Sequence, residues 1–202
     1  PRPSHHEEQV RDFLVQFGEG LGLETIVDDT GNVLIRKPAS HGREKAPATV
    51  LQSHLDMVNE KNSDVEHDFS RDPIRWKREG DWIGADGTTL GADNGIGVAA
   101  QLALIEAKDV AHGPLEFLFT VDEETGLMGA TGLAAGMLEG RTLLNLDSED
   151  EHTVYIGCAG GQDTVLTLRL DTESVPEGLK AVSIRVGGLQ GGHSGLEIDR
   201  GR

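Results

Sequence analysis

Short aliphatic runs alternate with glycine-rich turns along most of the chain. Val10, Phe13, Leu14 and Phe17 recur at helical spacing. Ser4-His5-His6-Glu7 precedes them and reads as a capping box with Ser4 as N-cap. Gly18, Gly20 and Gly22 are expected to end that helix. Thr25–Val27 and Asn32–Arg36 read as two strands about a turn at Asp28 to Gly31. Further strands are predicted at Thr49–Ser53, Leu115–Val121 and Thr142–Leu146, and a short hairpin at Ile74–Trp76 and Trp82–Ile83. Gly95–Ala107 and Gly129–Leu138 carry the small and apolar residues of packed helices.

Strands alternating with small-residue helices predict an α/β fold with a largely parallel or mixed sheet. In such sheets ligands collect outside the carboxyl ends of the strands. After Gly160 the character changes. Asp163–Leu170 and Ala181–Val186 alternate apolar and polar positions, as half-exposed strands do. A boundary near Gly160 therefore divides a first domain, 1–160, from the beginning of a second, 161–202.

Composition narrows the function. Aromatics are only 4%, so the core must be aliphatic, and 27 glycines in 202 residues are about double the usual ~7%. A formal net charge of -17 repels phosphate backbones and argues against nucleic-acid binding. No apolar run approaches the ~18 residues of a membrane span, so no membrane partner is expected. A single cysteine, Cys158, permits no intrachain disulfide and reads as a small buried residue. A reducing, cytoplasmic location fits that count.

The polar residues that follow the apolar runs carry the chemistry. Ser53-His54-Leu55-Asp56 ends one run, Asp122-Glu123-Glu124 another, and Asp147 a third, while Asp93 sits in the turn Gly91-Ala92-Asp93-Asn94-Gly95. Asp56 is placed to accept the second ring N–H of His54, as carboxylates beside metal-binding histidines do. Asp93 is either an N-cap for the following helix or a carboxylate bridging two ions. Two adjacent carboxylates after a buried strand need neutralisation. One can bind metal while the other stays free as a base for an activated water. Asp147 can complete the ligand set. His193, in Gly191-Gly192-His193-Ser194-Gly195, is a further candidate from the second domain. Neither Gly91–Gly95 nor Gly129–Gly132 completes a phosphate-binding pattern, and there is no G-x-S-x-G elbow.

Together these segments resemble the M20 metallopeptidase family. They are Pro3–Glu7, Ser53–Val58, Ala85–Gly95, Asp122–Gly126, Leu144–Glu149 and Gly191–Gly195. Asn94-Gly95 is similar to the dipeptidase branch, whereas the related tripeptidases usually have Asp-Asp-Lys at that turn. The resemblance implies a three-layer zinc-peptidase-like catalytic domain with a mixed sheet and the start of an inserted α+β lid domain. It implies two Zn2+ per full-length chain, with Co2+ or Mn2+ as substitutes. His54 and Asp147 would bind one ion, Glu124 the other, and Asp93 would bridge them. Glu123 would be the general acid/base, Asp56 would orient His54, and His193 would stabilise the oxyanion, within one chain or across a lid-mediated homodimer. A cis peptide bond at Asp93–Asn94 is also implied. The expected substrates are dipeptides, Xaa-His types included. An N-acyl amino acid deacylase and a non-catalytic metal-binding module are the alternatives. The family's second zinc takes a further histidine from near the C-terminus, and none here sits in a matching motif. The chain is therefore expected to be part of a longer one.

Overall fold

The structure, a computed structural model, describes residues 2–148, 150, 152–158, 160 and 164–188. The chain divides into two units, Pro1–His152 and Thr153–Arg202.

In the first unit, helix α1 (Glu8–Gly20) leads into β1 (Glu24–Val27), β2 (Val33–Lys37) and β3 (Thr49–His54). A hairpin of β4 (Trp76–Glu79) and β5 (Trp82–Ala85) precedes α2 (Ala92–Glu106). Strand β6 (Leu115–Thr120), the short α3 (Met128–Thr131) and β7 (Thr142–Asn145) follow. Five strands form one mixed sheet in the order β1-β2-β6-β3-β7. β1, β2 and β6 pair antiparallel, whereas β3 runs parallel to both β6 and β7. The parallel core places the ends of β3, β6 and β7 on one side, with His54 opposite Thr120 in the register.

Alternation along the strands builds a core on each face. Val33, Ile35, Leu51, Phe117 and Phe119 point to one face, where Leu14 of α1 and Val98 and Ile105 of α2 cover them. Leu34, Val50 and Leu118 point to the other and pack with Met137, Leu133 and Leu138. Each such fully buried side chain contributes about 2 kcal/mol of hydrophobic stabilisation. The result is three layers, the thin one being α3 and the segment after it.

Three expectations about the helices change. α1 has no side-chain cap: it begins at Glu8, and Ser4 and Glu7 bond elsewhere. The helix expected over Gly129–Leu138 is only α3. Four glycines in 126–136 favour turns, and Gly129 packs so tightly that a Cβ there would meet the Val121 carbonyl oxygen at 2.3 Å. Gly18 lies within α1 rather than ending it, because its missing side chain lets the helix approach Thr25 and Ile35.

In the second unit, the described residues of 164–188 form no strand. Val165, Leu166, Val182 and Ile184 are exposed, with no partner strand among the described residues to cover their alternating faces. Cys158 is exposed, not buried. Among the described residues no helix is long and apolar enough to cross a membrane.

Candidate metal centre

The site forms where the ends of β3, β6 and β7 meet the first turn of α2. His54 is the last residue of β3 and is 1% exposed. Its Nδ1 faces Asp56, 3.0 Å from the backbone oxygen and 3.2 Å from Oδ1. Its Nε2 faces Asp93 Oδ1 at 2.8 Å and Asp147 Oδ1 at 3.5 Å.

Asp93 reaches His54 because α2 starts irregularly. Gly91 takes φ 73°, a conformation that favours glycine, and Asp93 and Asn94 are non-helical inside the first turn. Asp93 is therefore not a side-chain N-cap. The Asp93–Asn94 peptide bond is cis. Asn94, buried beside it, donates from Nδ2 to Asp147 Oδ1 at 2.6 Å.

Asp56 is fully buried and acts as a hub. Its Oδ1 accepts the Glu123 N–H at 3.0 Å. Its Oδ2 accepts the Glu124 N–H at 3.1 Å and the Ser4 hydroxyl at 2.7 Å. One carboxylate thus ties the His54 ring to the backbone that carries the acidic pair. Burial alone would raise the Asp56 carboxyl, but His54 and these donors reverse that and hold it below the usual range.

The electrostatics suit a bound cation. If His54 Nδ1–H donates to Asp56, a neutral ring presents its Nε2 lone pair to the Asp93 carboxylate, and two acceptors meet. Either a second proton or a cation must lie between them. Burial pulls the His54 imidazolium down, but Asp147, Asp56 and Asp93 overcome it and push the pKa to about 12. Burial raises Glu123; His54 opposes that, while Asp147, Asp56 and Asp93 add to it. Burial, then Asp93, raises Glu124. One imidazole and two carboxylates, from His54, Asp93 and Glu124, offer ligand atoms within 4.8 Å of one another. This nitrogen and oxygen set, crowded with negative charge, fits a divalent ion such as zinc.

The structure thus brings His54, Asp56, Asp93, Glu123, Glu124 and Asp147 to one place. His193 lies outside the described residues. Sequence reasoning did not assign Asn94, Ser4 or Glu7 to this site. Asn94 was visible only as part of the turn, and Ser4 and Glu7 carried the signature of a helix cap.

Comparison with known proteins gives the family. Residues 50–192 match peptidase family M20/M25/M40, and the chain belongs to that family. It is 50% identical over 201 residues to the cytosol non-specific dipeptidase of Escherichia coli K12, covering 100% of this chain and 41% of the relative. Among solved structures, aminoacylhistidine dipeptidase from Vibrio alginolyticus is similar with a TM-score of 0.73 and 52% identity, over 75% of this chain and 31% of that one. Aminopeptidase PepT from Bacillus cereus is similar with a TM-score of 0.62 and 28% identity, over 73% of this chain and 40% of that one. The chain therefore spans about two fifths of the length of its Escherichia coli relative.

Proposed function

We propose that the chain is part of a dinuclear zinc dipeptidase that hydrolyses dipeptides, Xaa-His types included. The observation that carries this reading is the meeting of His54, Asp93 and Glu124 beside Asp147 and Glu123. The 50% identity to a cytosol non-specific dipeptidase supports the substrate class and a cytoplasmic location. Dimerisation through the lid domain belongs to the same reading and rests on the family resemblance alone.

In this reading His54, Asp93, Glu124 and Asp147 would hold the ions. Bound there, the ions would lower the pKa of a coordinated water to about 7 and polarise the scissile carbonyl. Asp56 keeps the His54 ring oriented and the Glu123–Glu124 backbone in register. Glu123 takes the proton of the attacking water and hands it to the leaving amine. Burial raises its carboxyl, which makes it a better proton acceptor than an ordinary surface glutamate. His193 is assigned to the developing oxyanion.

The test is a substrate panel on the full-length protein with its metal content measured. Hydrolysis of dipeptides, lost on chelation and restored by zinc, is the expected result. Preferential cleavage of N-acetyl amino acids would replace the dipeptidase reading with a deacylase. Full turnover without bound metal would overturn the site.

A further inference from the structure

Residues 2–7 bond to three of the four segments that carry the site: the end of β3, the end of β6 and the turn before α2. Arg2 donates to the Gly91 carbonyl oxygen in the turn before Asp93. The Arg2 carbonyl accepts the Met57 N–H, and Pro3 bridges Met57 in parallel. Ser4 Oγ donates to Asp56 Oδ2 at 2.7 Å. His5 N–H donates to Asp122 Oδ1 at 2.6 Å, and its ring Nδ1 lies 3.0 Å from Oδ2. Glu7, 5% exposed, accepts the Asp122 N–H on Oε1 at 3.0 Å.

The turn after β6 explains why such a strap is needed. Asp122 takes φ 50°, a left-handed conformation uncommon for a residue with a side chain. Three consecutive N–H groups then lack strand partners, and two buried carboxylates take them. Asp122 N–H goes to Glu7, and those of Glu123 and Glu124 go to Asp56. The acidic pair is thereby aimed by acceptors rather than by secondary structure.

We infer that Glu7 and Ser4 are positioning residues that set the Asp122–Glu124 turn, and through it the direction of the Glu123 carboxylate. Glu7 holds the turn directly, and Ser4 holds the Asp56 carboxylate that completes it. This rests on the dipeptidase reading for its catalytic consequence, but the hydrogen bonds can be tested without it.

The experiment uses the full-length protein. Amide hydrogen exchange is followed in the metal-free form for residues 121–125 against β3 and β6, and kcat and KM are measured separately on a dipeptide. In Glu7→Ala, exchange at 121–125 should quicken while both strands stay protected. Its kcat should fall about ten- to a hundredfold, as for other groups that orient a metal site, with a smaller change in KM. Glu7→Gln keeps an acceptor oxygen and should retain slow exchange and most of the turnover. Should Glu7→Ala not fold, Ser4→Ala deletes one hydroxyl and should quicken exchange in the same segment. Wild-type exchange at 121–125 in the folded alanine variant overturns the inference, as does a glutamine variant as damaged as the alanine one. Absence of dipeptide hydrolysis by the wild type would sink the proposed function, while the exchange data would still decide the positioning role.

Discussion

Asn94 donates to Asp147 Oδ1 across 2.6 Å, joining the first turn of α2 to the end of β7. That bond leaves Asp147 turned toward His54, 3.5 Å from its Nε2. The neighbouring Gly97 makes room for it. A Cβ at Gly97 would meet Asn94 Oδ1 at 2.1 Å, Leu146 O at 3.0 Å and Ser53 Cβ at 3.0 Å.

Gly97→Ala should therefore damage the site from outside the ligand set. Helix propensity favours alanine by about 1 kcal/mol, but the backbone oxygen of Leu146 cannot move aside as a flexible side chain could. Overpacking of this kind costs about 1–3 kcal/mol. Weaker metal binding in a competition with a chelator, together with a lower melting temperature, is the expected outcome. A variant that binds metal as well as wild type would show that the helix start adjusts freely.

Glu123→Ala removes the proposed base while leaving His54, Asp93, Glu124 and Asp147 in place. Removal of a general base costs about 10²–10⁴ in rate. Metal content of the full-length variant should match wild type, with kcat reduced by that factor. Both quantities come from one preparation, by elemental analysis and steady-state kinetics. Loss of metal along with activity would reassign Glu123 as a ligand.

Asp56 makes stability depend on acid. Its carboxyl lies below its ordinary value of 3.8 in the folded state, against the effect of burial, because His54, two backbone N–H groups and Ser4 favour the charged form. A depressed pKa stabilises the fold fully above that ordinary value, and the contribution is lost as the pH falls through the folded-state pKa. Asp56→Asn should cost about 2 kcal/mol near neutral pH, the scale of a charge-assisted hydrogen bond. The gap between variant and wild type should close as the pH drops below 3.8. Thermal unfolding of the metal-free proteins across that range measures it, and a gap that widens in acid would contradict the sign.

Glu116 anchors the side of the sheet away from the site's helices. Only 3% exposed near the start of β6, it accepts Arg36 Nε at 3.1 Å, the Glu139 N–H and the Gly140 N–H. Arg36 also donates to the Met137 carbonyl oxygen, so the segment after α3 is fastened by one ion pair. Glu116→Leu takes the acceptor from the Glu139 and Gly140 N–H groups and leaves Arg36 only its pairs with Glu24 and Glu139, which should destabilise the fold by about 3 kcal/mol. Denaturant unfolding reads this loss. Metal affinity should change far less, because none of these groups touches the site.

Much of the fold was legible along the chain because strand burial has a period of two. Val33, Ile35, Phe117 and Phe119 alternate with Leu34 and Leu118, and that pattern alone separates the two faces. The segments after Gly160 show the limit of the same rule. Alternation there marks a capacity for pairing, and without a partner strand among the described residues it produces none. The segment after β6 shows another limit, since glycines at 126, 129, 132 and 136 outweigh the small apolar residues that suggested a helix.

The metal site divides in the same way. By itself the sequence determined the order of chemical groups and their placement after apolar runs, because a strand and the turn that follows it are local features. It also specified α2's irregular start through Gly91, whose freedom from a side chain permits φ 73°. Tertiary structure alone decided which groups bond. Ser4 meets Asp56 across 52 residues and Glu7 meets Asp122 across 115, and both had the local signature of a helix cap. A polar side chain bonds to whatever donor or acceptor the folded sheet brings within about 3 Å, and that choice depends on strand order and register rather than on neighbours in sequence.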